Sequence, residues 1–201
     1  MDIQEPFNPL HKKHLGLSVA EALLARPVEE LPPEKPFEGA GIYAIYYSGD
    51  FSAYVPIANE NKNGKFSRPI YVGKAVPKGA RKGGFGLDAS PGAVLYNRLR
   101  HHARSIGLTQ NLKLIDFRCR YLIVDDIWIP LGESLLIEMF APLWNRSLEG
   151  FGINDPGVGR HKQKASSWDI LHPGRSWGSK LTPGRTTDEI LRAVEAHLRP
   201  K

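Results

Sequence analysis

The run Gly41-Ile42-Tyr43-Ala44-Ile45-Tyr46-Tyr47 constrains this chain more than any other segment. β-branched and aromatic residues dominate it, as they do in strands, where such side chains fit a pleated surface. Strand periodicity puts Tyr43, Ile45 and Tyr47 on one face and Ile42, Ala44 and Tyr46 on the other. Two more short runs of the same kind follow, PIYVGK at 69–74 and FRCRYLIVDD at 117–126. Helical patterns separate and flank them, so the class expected is α+β.

Before the first strand, SVAEALLARPVEEL reads as a short amphipathic helix with Ser18 as N-cap and Glu21 three positions on. LPPEKPFEGA then forms a proline-rich connector that cannot continue a helix. Together they suggest an N-terminal arm over residues 1–38. Residues 48–68 are polar and turn-rich and read as a long loop or insertion. After the second strand, KGARKGGFGLDASPG reads as a basic glycine-rich loop. A helix is expected from Pro91 to Ser105, capped by Ser90. Another is expected from Gly132 to Ala141, ending near Pro142. A terminal amphipathic helix begins at Thr187 or Asp188. The expected division is therefore arm 1–38, core 39–178 with the insertion, and C-terminal extension 179–201.

With 201 residues, the chain buries about 70% of its unfolded surface and needs no metal or disulfide staple. The single cysteine, Cys119, excludes an internal disulfide and a cysteine-rich zinc site. No run approaches a membrane span, and the N-terminus lacks a secretory signal, so a cytoplasmic location is expected. Charge is unevenly placed. Residues 62–120 hold thirteen Lys or Arg against two acidic residues, and residues 160–185 hold six against one. The first forty residues are net acidic, with four basic and seven acidic. A surplus of this size points to a polyanion such as nucleic acid, or else to a solvated basic face.

Helical-wheel geometry identifies the polar groups that turn inward. Leu95, Leu99 and Ile106 share one stripe, His102 falls inside it and Arg98 lies on its flank. Arg100 and Arg104 point away, towards solvent or a ligand. In the next long helix, Leu136 and Phe140 mark the apolar stripe and Glu133 faces inward, whereas Glu138 faces out. An inward carboxylate is costly unless paired, protonated or bound to a metal. Each feature also has a plain structural explanation: a core histidine with a partner, a snorkelling arginine, a first-turn glutamate favoured by the helix dipole. Tyr43 and Tyr71 from strands, Arg98 and His102 from one helix and Glu133 from another nonetheless suggest convergence on one active site.

In order along the chain stand Gly41-Ile42-Tyr43, Tyr71-Val72-Gly73, Arg98, His102, Glu133 and Asn145. This series resembles the signature of the GIY-YIG nucleases. GIYAIYYSGD, PIYVGKAVP, NRLRHHAR, PLWN, the stretch from GFG to GRH, and WDILHPGR are similar to the small type II restriction endonucleases of that superfamily, in particular those that cut CCGCGG. The resemblance covers about residues 36–178. Val72 replaces the usual isoleucine, and 27 residues separate the two tripeptides, far more than in most of the family.

The resemblance implies a three-stranded antiparallel sheet flanked by helices, cutting double-stranded DNA with one Mg²⁺ per active site. Glu133 would hold the metal and Arg98 the scissile phosphate. Tyr43 would activate or orient the attacking water with His102 as its helper, or His102 would itself be the base. Tyr71 would position the water or phosphate, and Asn145 would bind a phosphate oxygen or brace the site. Lys74, Lys78, Arg81, Lys82, Arg104, Arg160, Lys162 and Lys164 become candidate DNA contacts. A palindromic site implies a homodimer, and restriction implies a cognate DNA methyltransferase. Other readings are a homing, repair or mobile-element nuclease, or a DNA-binding module without catalysis.

Several features are set aside. His11-Lys12-Lys13-His14 has metal-like spacing but no partners. The glycines of 79–86 lack the GK[ST] of a phosphate loop. Asn145-Arg146-Ser147 matches a glycosylation acceptor by chance. Trp168 and His172 either line DNA or form a satellite core.

Overall fold

Strand β2 (Gly41–Tyr47) is buried at all seven positions, which requires neighbours on both edges and both faces. On its edges it pairs antiparallel with β3 (Pro69–Ala75) and with β4 (Phe117–Ile123). The computed structural model describes residues 7–77, 90–153 and 163–199. Within them β4 also pairs with a two-residue edge strand, β1 (Glu29–Glu30), giving the order β1-β4-β2-β3. The sheet thus has four strands, not three. β1 is too short to show a periodic pattern; it comes from the end of the segment expected to be helical, which leaves the helix after Leu24 and runs along the edge of β4.

The two faces of β2 seed two cores. Tyr43, Ile45 and Tyr47 join one cluster with Leu95, Leu99 and Ile106 of α3 (Val94–Gly107). Trp168 of α6 (Ser167–Leu171) and Ile190, Val194 and Leu198 of α7 (Thr187–Leu198) enter the same cluster. Ile42, Ala44 and Tyr46 join the other, with Ala20 and Leu23 of α1 (Lys12–Leu24) and Ile129 and Leu136 of α4 (Ile129–Phe140). α1 therefore packs on α4 rather than trailing as a free arm. A Cβ on Gly132 would lie 2.6 Å from Val19 and 3.1 Å from Ile42, so glycine permits the close approach.

Element boundaries shift for local reasons. α1 begins at Lys12, where the His11 ring caps the Lys13 amide, and not at Ser18. α3 begins at Val94 rather than Pro91. α4 begins three residues before Gly132, because Pro130 in its first turn costs no hydrogen bond. It stops at Ala141, which adopts the left-handed conformation just before Pro142. Thr186 caps α7 in a reciprocal capping box with Glu189.

The expected loop at 48–68 contains a 3₁₀ turn (Ser52–Tyr54) and a helix, α2 (Val55–Asn61). Buried Asn61 closes the insertion, bonding the carbonyls of Tyr47 and Arg68 and the Arg68 amide. Tyr54 anchors it. Its hydroxyl lies 2.6 Å from His172 Nε2 and accepts from Trp144 Nε1, while His172 Nδ1 meets Asn111 Oδ1 at 2.9 Å. Trp168 and His172 are fully buried, so of their two expected settings they occupy the core.

Burial pushes the His172 pKa down from 6.5 to about 3, so the folded state holds this ring neutral. That contribution is complete above pH 6.5 and is lost as pH falls towards 3, at about 1.4 kcal/mol per pH unit. His172→Gln should lower stability at neutral pH but remove this part of the acid slope. Urea midpoints measured from pH 7 to 4 check it, and identical slopes in the two proteins would refute it.

Candidate active site

The sheet and α3 meet at Tyr43. Its register partner on β3 is Gly73, and a Cβ there would fall 2.4 Å from the Tyr43 hydroxyl. Glycine at that position lets the phenol cross the edge strand. The hydroxyl meets His102 Nε2 of α3 at 2.6 Å, and both residues are 0% exposed. Tyr71 opposes Ile45 on the same face of the sheet, and its ring packs edge-on against His102 at 5.3 Å. Phe151 stacks on the imidazole at 4.5 Å and also packs edge-on against Tyr71 at 5.0 Å. The remaining ring nitrogen of His102, Nδ1, is buried without a partner among the described residues, so Nε2 is the end of the ring that is anchored.

Arg98 sits one turn before His102, and its charge acts on the hydroxyls of both Tyr43 and Tyr71. Its Nη2 donates to the Gly152 carbonyl at 2.9 Å. Burial raises the pKa of Tyr43 well above the usual phenol range, with Tyr71 adding to the rise and Arg98 opposing it. Tyr71 shifts in the same direction, burial again leading. Burial pushes His102 well below its ordinary value, and the Arg98 charge adds to that. At neutral pH the pair is therefore a neutral phenol facing a neutral imidazole.

Glu133 reaches the site from the other face of the sheet. Its charge raises the pKa of both tyrosines, a smaller cause than burial. Its side chain is 17% exposed and ion-pairs with Lys74 Nζ at 2.7 Å. The inward carboxylate is thus paired. Its partner is a residue first grouped with the DNA contacts: Lys74 lies within β3, opposite Ile42. Strand alternation puts Lys74 on the α4 side, a consequence visible only once the register is known.

Asn145 sits in α5 (Leu143–Arg146), directly after the Pro142 turn. Its Oδ1 accepts from the Val72 amide and its Nδ2 donates to the Val72 carbonyl, both at 2.8 Å. The side chain thereby supplies a strand-like partner to the outer edge of β3. Both ends of its side-chain amide are thereby engaged with the strand.

Tyr43, Tyr71, Arg98 and His102 thus stand together, with Glu133 beside them and Asn145 holding the strand that carries Tyr71. Arg104 is exposed further along α3, and Lys164 is exposed in a short parallel bridge between β5 (Lys164–Ala165) and β6 (Thr182–Pro183). Lys78, Arg81, Lys82, Arg160 and Lys162 lie outside the described residues. Phe151 and Gly152 were not among the expected site residues. They follow no helical or strand period, and they meet their partners only across about fifty residues of chain.

Among the described residues no three His, Cys, Asp or Glu side chains cluster as a metal cage. The donor set is one carboxylate that already holds a cationic group. This fits a hard divalent ion that keeps most of its water and takes phosphate oxygens, and does not fit an all-protein cage. No helix of the described residues is long and apolar enough to cross a membrane.

A family model described as the Eco29kI GIY-YIG domain matches residues 35–198. The match runs past the last motif at Arg175 and takes in α7, which shares the core of the Tyr43 face. A search of curated proteins finds no match. With four-fifths of its length matched, and with Tyr43, Tyr71, Arg98 and His102 gathered beside Glu133, the chain belongs to the GIY-YIG restriction endonuclease family and is a restriction-type nuclease.

Proposed function

We propose that this nuclease makes double-strand cuts in DNA by metal-assisted phosphodiester hydrolysis, acting as a homodimer on the palindrome CCGCGG. The observation that carries the chemistry is the 2.6 Å contact between Tyr43 and His102, next to Arg98 and Glu133. The sequence preference rests on the resemblance of the motifs, and the dimer on the two-fold symmetry of such a site. A restriction role further implies a DNA methyltransferase that protects the same sequence.

The Arg98 guanidinium, steadied by Gly152, receives the scissile phosphate and stabilises charge that develops on it. Tyr43 gives its proton to His102 Nε2 as its oxygen takes a proton from the attacking water. The water oxygen bonds to phosphorus, the P–O bond to the leaving sugar oxygen breaks, and that oxygen takes a proton from a solvent water, whose hydroxide then takes the proton from His102. His102 is suited to accept because burial keeps it neutral beforehand. The bound phosphate screens Arg98, one of the charges that oppose protonation of the imidazole. Tyr71 orients the water or phosphate. Mg²⁺ held by Glu133 would act as Lewis acid and template. Lys74, the present partner of Glu133, remains a candidate phosphate contact, as do Arg104 and Lys164 and the basic residues of 78–82 and 160–162.

Incubation of plasmid carrying one CCGCGG site, with Mg²⁺ or EDTA, should give linear product only with the metal. Glu133→Gln should abolish it while leaving the DNA bound. Fragments from other sites would leave the chemistry standing and overturn the specificity. Binding without cleavage across several divalent metals would favour a non-catalytic module. Asn145→Ala should lower stability by about 1–3 kcal/mol, the cost of stranding partly buried polar groups. It should slow cleavage without weakening DNA binding, and a loss confined to DNA affinity would instead assign Asn145 to the phosphate.

A further inference from the structure

Arg175 is the most deeply buried cation among the described residues, at 1% exposure. Its Nε contacts Asp169 Oδ1 at 2.6 Å, and both side chains are almost wholly enclosed. Asp169 is itself fixed by the Ser166 hydroxyl, which donates to its other carboxylate oxygen and caps its amide. The guanidinium lies 4.4 Å from the Trp168 ring and 5.0 Å from Trp177. Its other nitrogens gather carbonyls from one short loop. Nη2 donates to Gly150, and Nη1 to Phe151 and to Ile153.

The carbonyl left out of that set, Gly152, is the one that accepts from Arg98. Four consecutive carbonyls are thus shared between two arginines, three to Arg175 and one to Arg98. The same loop lays Phe151 on His102 and brings Gly152 so near Tyr71 that a Cβ would sit 2.8 Å from its hydroxyl. Buried ion pairs contribute little net stability compared with apolar packing. What a rigid planar fork does supply is geometry, because its donors fix several acceptors at once.

We infer that Arg175, held by Asp169, is a positioning residue of the nuclease site: it shapes the 150–153 loop so that Gly152 seats Arg98 and Phe151 seats His102. The inference rests on the reading of Arg98 and His102 as catalytic. A lysine at 175 retains the charge facing Asp169 but cannot span three carbonyls.

The test uses the full chain carrying Arg175→Lys, with Phe151→Leu as a second variant that leaves Arg175 intact. Two readouts are taken from each protein. The first is the ring-proton NMR shift of His102, which the stacked Phe151 displaces through its ring current. The second is the single-turnover rate on a CCGCGG duplex with Mg²⁺, with affinity for the same duplex measured in EDTA. The expected result is a His102 shift in Arg175→Lys that moves towards that of Phe151→Leu. Affinity should stay at its wild-type value, and cleavage should fall about 10²-fold, the scale of a roughly 1 Å misplacement of reacting groups. Native His102 shifts in a folded Arg175→Lys protein would overturn the inference, as would a moved shift with an unchanged rate. Should Arg175→Lys fail to fold, wild-type cleavage by Phe151→Leu would overturn it equally. A wild-type protein that cuts no DNA would defeat the nuclease reading, and the His102 shift would then decide the positioning claim by itself.

Discussion

The hydrogen bond between Tyr43 and His102 ties the central strand to the long helix α3, and the surrounding structure is arranged to make it. It joins residues 59 apart in sequence, both without solvent exposure. Gly73 leaves the space through which the phenol passes. Asn145 fixes the edge strand that carries Gly73 by pairing with the neighbouring Val72 backbone. Phe151 covers the imidazole, and the loop bearing Phe151 is in turn gathered by Arg175. Each of these residues therefore bears on one short contact.

Burial sets the electrostatic character of that contact. It drives the phenol up and the imidazole down, so the charged form of each is disfavoured. Arg98 opposes the first shift and reinforces the second. The resting site is thus neutral at its centre and charged at its rim, where Arg98 faces Gly152 and Lys74 faces Glu133. An arriving phosphate changes the balance at the rim, and in the proposed reaction this releases proton movement at the centre. The second buried histidine, His172, has a similar partner distance to Tyr54 but lies wholly inside the core, where it secures the insertion.

Local periodicity made much of this legible. The two faces of β2 follow from alternation, and each face seeds its own core as the pattern requires. The helical wheel turned His102 and Glu133 inward and Arg104 outward, and burial agrees for all three. What the wheel does not contain is the partner of an inward group. The Lys74–Glu133 pair depends on the register of β3, and the Asn145 brace joins residues 73 apart. α2 was read as loop because the 48–68 segment around it is polar and turn-rich, yet Asn61 at its end and Tyr54 just before it tie it to the core. α1 looked like an arm because the helix it packs on, α4, lies more than a hundred residues further along the chain. Arg175 resembles any basic residue in a glycine- and proline-rich stretch until its three carbonyl acceptors are seen.

The measurement that bears most directly on the Tyr43–His102 contact is the ¹⁵N NMR spectrum of the His102 ring, followed from pH 7 to 5 in the DNA-free protein and in Tyr43→Phe. The account predicts a neutral ring throughout, with Nε2 unprotonated and shifted by an accepted hydrogen bond that disappears when the Tyr43 hydroxyl is removed. A protonated Nε2 at pH 7, or a spectrum unchanged by Tyr43→Phe, would contradict it.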